Sequence, residues 1–256
     1  MDAMNPQSAR AHAAPGQVLL EVEKLSGWYG AARILFDLDL KIRRGEVVAL
    51  MGRNGAGKST TFLSLMGMME RRSGTIRLMD RDISQSPSYR VAQLGLGFVP
   101  EDRRIFTDLT VAENLDIGRQ PPRYWPDGTP LHVWTPDELY ELFPNLASMK
   151  NRGAGRMSGG EQQMLTIART LMGNPFLLLL DEPSEGVAPV IVEQMAKMIL
   201  QLKNAGVSVL LSEQNIHFAR FVSNRVYMLE KGHLTWAGSM EELTQSPDIS
   251  LKYLSI

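Results

Sequence analysis

Eight residues, Gly52-Arg53-Asn54-Gly55-Ala56-Gly57-Lys58-Ser59, fit the pattern GxxxxGK[ST] directly after the apolar run Val47 to Met51. The pattern constrains the fold tightly: a strand must run into a glycine loop and then into a helix. The loop has to turn its backbone N–H groups inward around a phosphate with no Cβ atoms in the way. Gly55 and Gly57 supply that freedom. Beyond them Phe62, Leu65, Met66 and Met69 recur at helical spacing, which predicts a helix over 59–69. Its N-terminal partial charge, roughly half an elementary unit, then faces the phosphates. A chance match in a chain of this size is roughly a one-in-a-hundred event on average residue usage. Gly52, Asn54, Gly55, Ala56, Gly57, Lys58, Ser59 and Thr60 are therefore expected to hold a nucleoside triphosphate. Lys58 would act as a point charge on it and Ser59 as a hydroxyl ligand to its Mg²⁺.

Composition bounds the remaining possibilities. A chain of 256 residues can bury a core without staples, and it has no cysteine, so no disulfide framework exists. With 27 basic and 28 acidic residues there is no global field to attract nucleic acid, and no nucleic-acid partner is expected. The densest apolar stretch, Phe176 to Leu180 between Pro175 and Asp181, is far shorter than the roughly 20 residues a membrane helix needs. Residues 1–17 are rich in Ala, Pro, Gln and Ser without an apolar core, and are expected to form a disordered leader.

From residue 18 to 256 one domain is expected. Alternation predicts strands at Val18 to Lys24, Leu38 to Ile42 and Thr75 to Met79, and Phe176 to Leu180 and Val207 to Ser212 also read as strands. Arg225 to Glu230 and His233 to Ala237 flank Lys231-Gly232 as a hairpin. Helical patterns cover Val111 to Ile117, Pro136 to Phe143, Gly160 to Met172 and Pro189 to Lys203. Strands alternating with helices predict an α/β fold with a mainly parallel sheet covered on both faces and phosphate chemistry at the strands' C-terminal ends. The less regular stretch 89–157 reads as an inserted, mainly helical subdomain. Within it, Trp125 and Trp134 flank a proline-rich piece to which the sequence assigns no role.

Two further segments carry chemistry. The run Phe176 to Leu180 delivers Asp181 and Glu182, which suit a metal contact and a water-polarising base respectively. Alone, such a pair is equally a solvated strand end. Met157-Ser158-Gly159-Gly160-Glu161-Gln162 opens a helix with N–H groups and a hydroxyl free for an anion, although a capping box needs no ligand either. Together and in this order the three segments resemble ATP-binding cassette (ABC) ATPases, P-loop NTPases whose signature is usually LSGGQ. The resemblance runs from about Val18 to the C-terminus. It implies an antiparallel β subdomain beside the parallel core, and an adenine-stacking aromatic at Tyr29, with Trp28 as rival.

Besides Met157 and Glu161 in the signature and Val187 where the family commonly has Asp, two departures from the family pattern concern the coupling chemistry. Glu101 follows Phe98-Val99-Pro100 where Gln is usual; it can still offer oxygen to Mg²⁺ but repels phosphate. Gln214 follows Ser212-Glu213 where a switch His is usual; it can hydrogen-bond a phosphate oxygen but carries no proton. The resemblance thus assigns catalysis to Glu182 as base with Lys58 and Gln214 as positioning groups, and metal contact to Ser59, Glu101 and Asp181. The segments 99–106, 158–165, 186–189 and 213–215 are similar to the ATP-binding subunit of branched-chain amino acid importers. That resemblance implies a peripheral protein at the cytoplasmic face of a bacterial inner membrane. It would pair with a copy or with a second ATP-binding subunit, on integral membrane permeases served by a periplasmic solute-binding protein. Each ATP would lie between one chain's phosphate loop and Ser158, Gly159 and Gly160 of the other. A partner helix would dock beside the Glu101 loop, with Ile105 and Phe106 as candidate groove residues. The competing expectations are a lipid or lipopolysaccharide exporter cassette, a soluble ABC ATPase, and a small-molecule kinase.

Overall fold

In a computed structural model residues 16–245 are described; the leader expected over 1–17 lies almost wholly outside them. Strands β1 (Val18–Tyr29) and β2 (Ala32–Arg43) form a long antiparallel hairpin. Both exceed the lengths that alternation predicts, because register shifts and the left-handed residues Lys24 and Asp37 interrupt the in-out pattern. β3 (Val47–Met51), buried at every position, feeds the glycine loop and α1 (Lys58–Leu65). That helix stops four residues short of Met69. Gly67 takes φ +72°, its N–H reaches the Ser64 carbonyl at 3.2 Å, and the Met68 N–H reaches that of Leu63 at 2.9 Å, a Schellman ending.

β4 (Arg71–Leu78) and β5 (Arg81–Asp82) complete a four-stranded antiparallel sheet in the order β2-β1-β4-β5. α2 (Ser88–Gln93) and β6 (Leu96–Val99) follow, and β6 pairs in parallel with a core strand. The first part of the stretch 89–157 therefore belongs to the core. The helical part comprises α3 (Val111–Gly118), α4 (Pro136–Leu142) and α5 (Pro144–Ala147), with a 3₁₀ turn at Ala154–Arg156.

The chain continues through α6 (Gly159–Leu171), β7 (Leu177–Asp181), α7 (Pro189–Asn204), β8 (Ser208–Glu213) and α8 (Ile216–Val222). β9 (Arg225–Glu230), β10 (His233–Ser239) and α9 (Met240–Gln245) end the described part. The second sheet runs β10-β9-β3-β8-β7-β6, parallel throughout except for the edge strand β10. Side chains alternate across it: Val47, Ala49 and Met51 join a core with α6 and α7, while Val48 and Leu50 join one with α1 and the antiparallel sheet. Nine of the methionines fill these buried layers, as at Met51, Met164 and Met195. No helix among the described residues is long and apolar enough to cross a membrane.

The proline-rich piece folds back on the core. Asn174, buried at φ +48°, gathers both of its ends: its Oδ1 accepts the Trp134 N–H at 3.0 Å and its Nδ2 donates to the Gln120 carbonyl at 3.1 Å. Between them Trp125 lies against Phe176, with the Arg44 guanidinium 3.7 Å from its ring. The sequence offered no role for these tryptophans; they fix the insertion to the body of the domain.

Candidate functional site

The site lies at the C-terminal ends of β3, β7 and β8, around a cleft of about 510 Å³. Asn54, Gly55, Gly57, Lys58, Ser59 and Thr60 form one wall; Glu101, Glu182 and Glu185 face them. The glycine requirement is physical at two positions. A Cβ on Gly52 would come 2.3 Å from the Leu229 carbonyl oxygen, and Gly57 sits at φ +111° with Leu35 2.9 Å from where its Cβ would be. Ala56 packs beneath the loop, buried, and its carbonyl accepts the Gly232 N–H at 2.8 Å. Side chains at these two positions would push the loop off Leu229 and Leu35, and the loop as it stands walls an open cleft, which fits a bound phosphate.

Lys58 is 4% exposed, and its ammonium donates to the Gly52 carbonyl at 2.8 Å and that of Arg53 at 3.2 Å. Its third contact, at 2.8 Å, is Glu182 Oε1. Glu182 follows β7 at φ 45°, a left-handed backbone that non-glycine residues rarely adopt and that turns its carboxylate toward the loop. Burial opposes its charge. A hydrogen bond shared with Glu185, the Lys58 ammonium and the Gln214 amide nevertheless hold its carboxyl below the ordinary range. Glu185 is pushed up to about 7, chiefly by sharing that hydrogen bond with Glu182, then by burial and by repulsion from Glu182 and Glu101. The two carboxylates hold one proton between them at acidic to neutral pH.

Asp181, 3% exposed, accepts the Ser212 hydroxyl at 2.6 Å and also the hydroxyl of Ser59. Burial pushes its carboxyl up against those hydrogen bonds, and nearby Glu182 and Glu101 add repulsion, so the pocket is short of positive charge. Among the described residues no group of three or more His, Cys, Asp or Glu could hold a metal alone. Ser59 and Asp181 side by side instead make the partial oxygen set that suits a Mg²⁺ arriving with its phosphates and waters. Glu101 is exposed at the cleft's edge.

Gln214 is where the sequence puts it. Its Nε2 donates to Asn54 Oδ1 at 2.6 Å and to Glu182 Oε2 at 3.2 Å, linking β8 to the glycine loop and to the carboxylate. The two aromatic candidates separate cleanly. Trp28 is half-buried with two guanidinium groups against it, Arg33 at 5.4 Å and Arg71 at 4.7 Å from its ring, whereas Tyr29 is 52% exposed at the hairpin tip. Tyr29 is the more exposed of the two rings.

Ser158 N-caps α6 in a capping box with Glu161, and Met157 is buried beneath it. Gly159 is covered by the Arg103 guanidinium, and Ile191 lies 3.1 Å from where a Gly160 Cβ would stand. None of these three signature residues lines the cleft of its own chain. Of the groove candidates, Phe106 is exposed and lines a second hollow of about 560 Å³ together with Met66, Met68, Tyr89, Phe98 and Ile117. Ile105 instead packs on the core. His132 pairs with Glu138 at 3.2 Å and His233 stacks on Phe36, so neither approaches the site.

Sequence reasoning missed Glu185, Glu213 and Ile34. Glu185 stands three residues after Glu182 in a turn closed by the Glu185 N–H on the Glu182 carbonyl at 3.1 Å. A carboxylate that close to a predicted base was the available signal. Ile34 reaches the cleft from β2, and no local pattern marks it.

The ABC transporter family profile matches residues 35–185. The chain is 41% identical over 236 residues to the high-affinity branched-chain amino acid transport ATP-binding protein BraG of Pseudomonas aeruginosa, covering 92% of this chain and 99% of that one. It is 35% identical over 237 residues to the lipopolysaccharide export system ATP-binding protein LptB of Haemophilus influenzae, covering 92% and 97%. Its fold superposes with TM-score 0.73, at 21% identity over 87% of this chain and 99% of the other, on the dimeric post-hydrolysis state of an ATP-binding cassette bound to ADP and Pi. The chain belongs to the ABC transporter family, as an ATP-binding cassette of the kind of ATPase that powers transport.

Proposed function

We propose that two such cassettes close around ATP and, by hydrolysing it, drive the uptake of branched-chain amino acids or related small solutes through membrane permeases. The observation that carries the pairing is the Ser158-Gly159-Gly160 helix start, which begins at an exposed Ser158 and lies outside its own cleft. The cleft stands open to solvent between its phosphate-loop wall and its carboxylate wall, and a second cassette would cover that opening. The dimeric cassette with ADP and Pi supports this arrangement by likeness of fold.

In the cleft, Lys58 leaves Glu182 to reach a phosphate, and that departure frees Glu182 Oε1 to accept a proton from an attacking water. Gln214, tethered to Asn54, holds the remaining carboxylate oxygen and has no proton to give at neutral pH. Glu182 is therefore the base and Gln214 a positioning group. Mg²⁺ beside Ser59 and Asp181 supplies charge neutralisation when bound. Tyr29 offers its exposed ring to the adenine. Loss of the terminal phosphoryl group removes the bridge between the two cassettes and favours opening.

The solute follows from resemblance: identity to BraG exceeds that to LptB, and both extend over nearly the whole chain. The hollow around Phe106 and Phe98 offers a docking groove for a short permease helix, which supports a peripheral position at the cytoplasmic face of a bacterial membrane. Recovery of the bound permeases from membranes, followed by ATPase assays with binding protein and solute, tests this. Stimulation by leucine, isoleucine or valine supports import. Co-purification with lipopolysaccharide-export partners and no solute response would overturn it in favour of the exporter reading.

A further inference from the structure

Glu213 ends β8, is 2% exposed, and is used by none of the steps above. Its Oε1 accepts the Ser184 N–H at 3.1 Å and its Oε2 accepts the Asn215 N–H at 3.3 Å. The Ser184 hydroxyl is a further partner, so the carboxylate is met by N–H and O–H groups and not by a cation. These two backbone donors belong to different functional segments. Ser184 lies between Glu182 and Glu185, at the start of the loop 184–187, and Asn215 directly follows Gln214 and caps α8 through the His217 and Phe218 N–H groups. Burying an unpaired carboxylate at this depth would be costly, and two charge-assisted hydrogen bonds to fixed N–H groups are what offset it.

We propose that Glu213 is a positioning residue for hydrolysis: one buried carboxylate that fastens the Gln214 loop and the loop after Glu182 to the end of β8, so that they move as a unit. Two N–H donors require two acceptor oxygens. A carboxylate has both, whereas an amide has one and turns an NH₂ toward the other donor. The consequence reaches the base through two routes, since Gln214 touches Glu182 directly and the Ser184 turn sets the backbone on which Glu182 and Glu185 sit. Loop 184–187 also leads into α7, whose Ile191 packs at Gly160, so the same carboxylate joins the hydrolytic groups to the signature end of the chain.

The inference rests on the hydrolysis reading, and its test separates the two. The full-length chain carrying Glu213→Gln, and a second variant Glu213→Asp, is compared with wild type for turnover, ATP affinity and melting temperature. Glu182→Gln runs as control. The expected result for Glu213→Gln is a tenfold to hundredfold fall in kcat with ATP affinity within about threefold. Glu213→Asp, which keeps two acceptor oxygens, recovers part of the rate. In a double-mutant cycle with Gln214→Ala, the Glu213→Gln penalty is smaller than in the wild-type background, because the route through Gln214 is already cut and only the one through the Ser184 turn remains. Unchanged kcat, a parallel loss of kcat and affinity with the fold, or penalties that simply multiply would each overturn the proposal. Normal turnover of Glu182→Gln would overturn the hydrolysis reading instead.

Discussion

Glu182→Gln separates binding from chemistry because the carboxylate it removes is both the proposed base and the partner of Lys58 in the nucleotide-free chain. On the chemical side, a positioned base contributes about 10² to 10⁴ in rate, which at about 1.36 kcal/mol per decade is roughly 2.7–5.5 kcal/mol of barrier. On the binding side, Glu182 Oε1 holds Lys58 at 2.8 Å and competes with phosphate for it. An amide keeps a hydrogen bond to the Lys58 ammonium but loses the ion pair, an exchange on the order of 1 kcal/mol. Lys58 is thus released at about 1 kcal/mol less cost, and ATP should bind about fivefold more tightly. Steady-state phosphate release and equilibrium binding of ATP, measured on the same preparation, read the two effects apart. Turnover within threefold of wild type would place the base elsewhere. Weakened binding would show that the Lys58–Glu182 pair does not compete with the nucleotide.

Tyr29→Ala should lower nucleotide affinity by about 1–3 kcal/mol, the usual worth of base–aromatic stacking, while Tyr29→Trp keeps it. Trp28→Ala should leave affinity unchanged and lower the melting temperature, since its ring is held by Arg33 and Arg71; competition binding and thermal melts distinguish the pair. Gly52→Ala should abolish nucleotide binding, because its Cβ meets the Leu229 carbonyl oxygen at 2.3 Å, and retained affinity in a binding assay would count against the loop geometry. Glu185 supplies a pH dependence: its carboxyl titrates at about 7 in the fold against an ordinary 4.5. The native state therefore binds that proton more tightly, and the stability it contributes is present below pH 4.5 and lost as pH rises through 7. Melting of the nucleotide-free chain across this window should flatten in Glu185→Gln; an unchanged slope would contradict the shared proton.

The site was legible wherever local covalent pattern and chemistry coincide. The glycine loop, Lys58, Ser59, Asp181 and Glu182 sit on contiguous stretches whose spacing itself forms the cradle, and the structure gathers them in one cleft with Gln214. What was not legible depends on distant partners. The β1–β2 hairpin outruns its alternation because bulges at Lys24 and Asp37 shift the faces, and a two-residue period cannot be read across a bulge. The strand ending at Phe98-Val99 was implied by the family resemblance, but the helical stretch drawn from 89 enclosed it, since β6 is only four residues long and shows no alternation. The insertion's tryptophans are explained only by Asn174, Phe176 and Arg44, far away in sequence. Glu213 looked like one more carboxylate beside the switch position, and only its burial and two backbone partners give it meaning.

The central claim is that ATP is held between two cassettes, one giving the glycine loop and the other Ser158-Gly159-Gly160. Small-angle scattering of the hydrolysis-deficient Glu182→Gln chain, with and without ATP, measures this most directly. The account predicts a compact dimer with ATP that ADP does not support and that Ser158→Arg, which obstructs the signature helix start, abolishes. A chain that stays monomeric while saturated with ATP would contradict it.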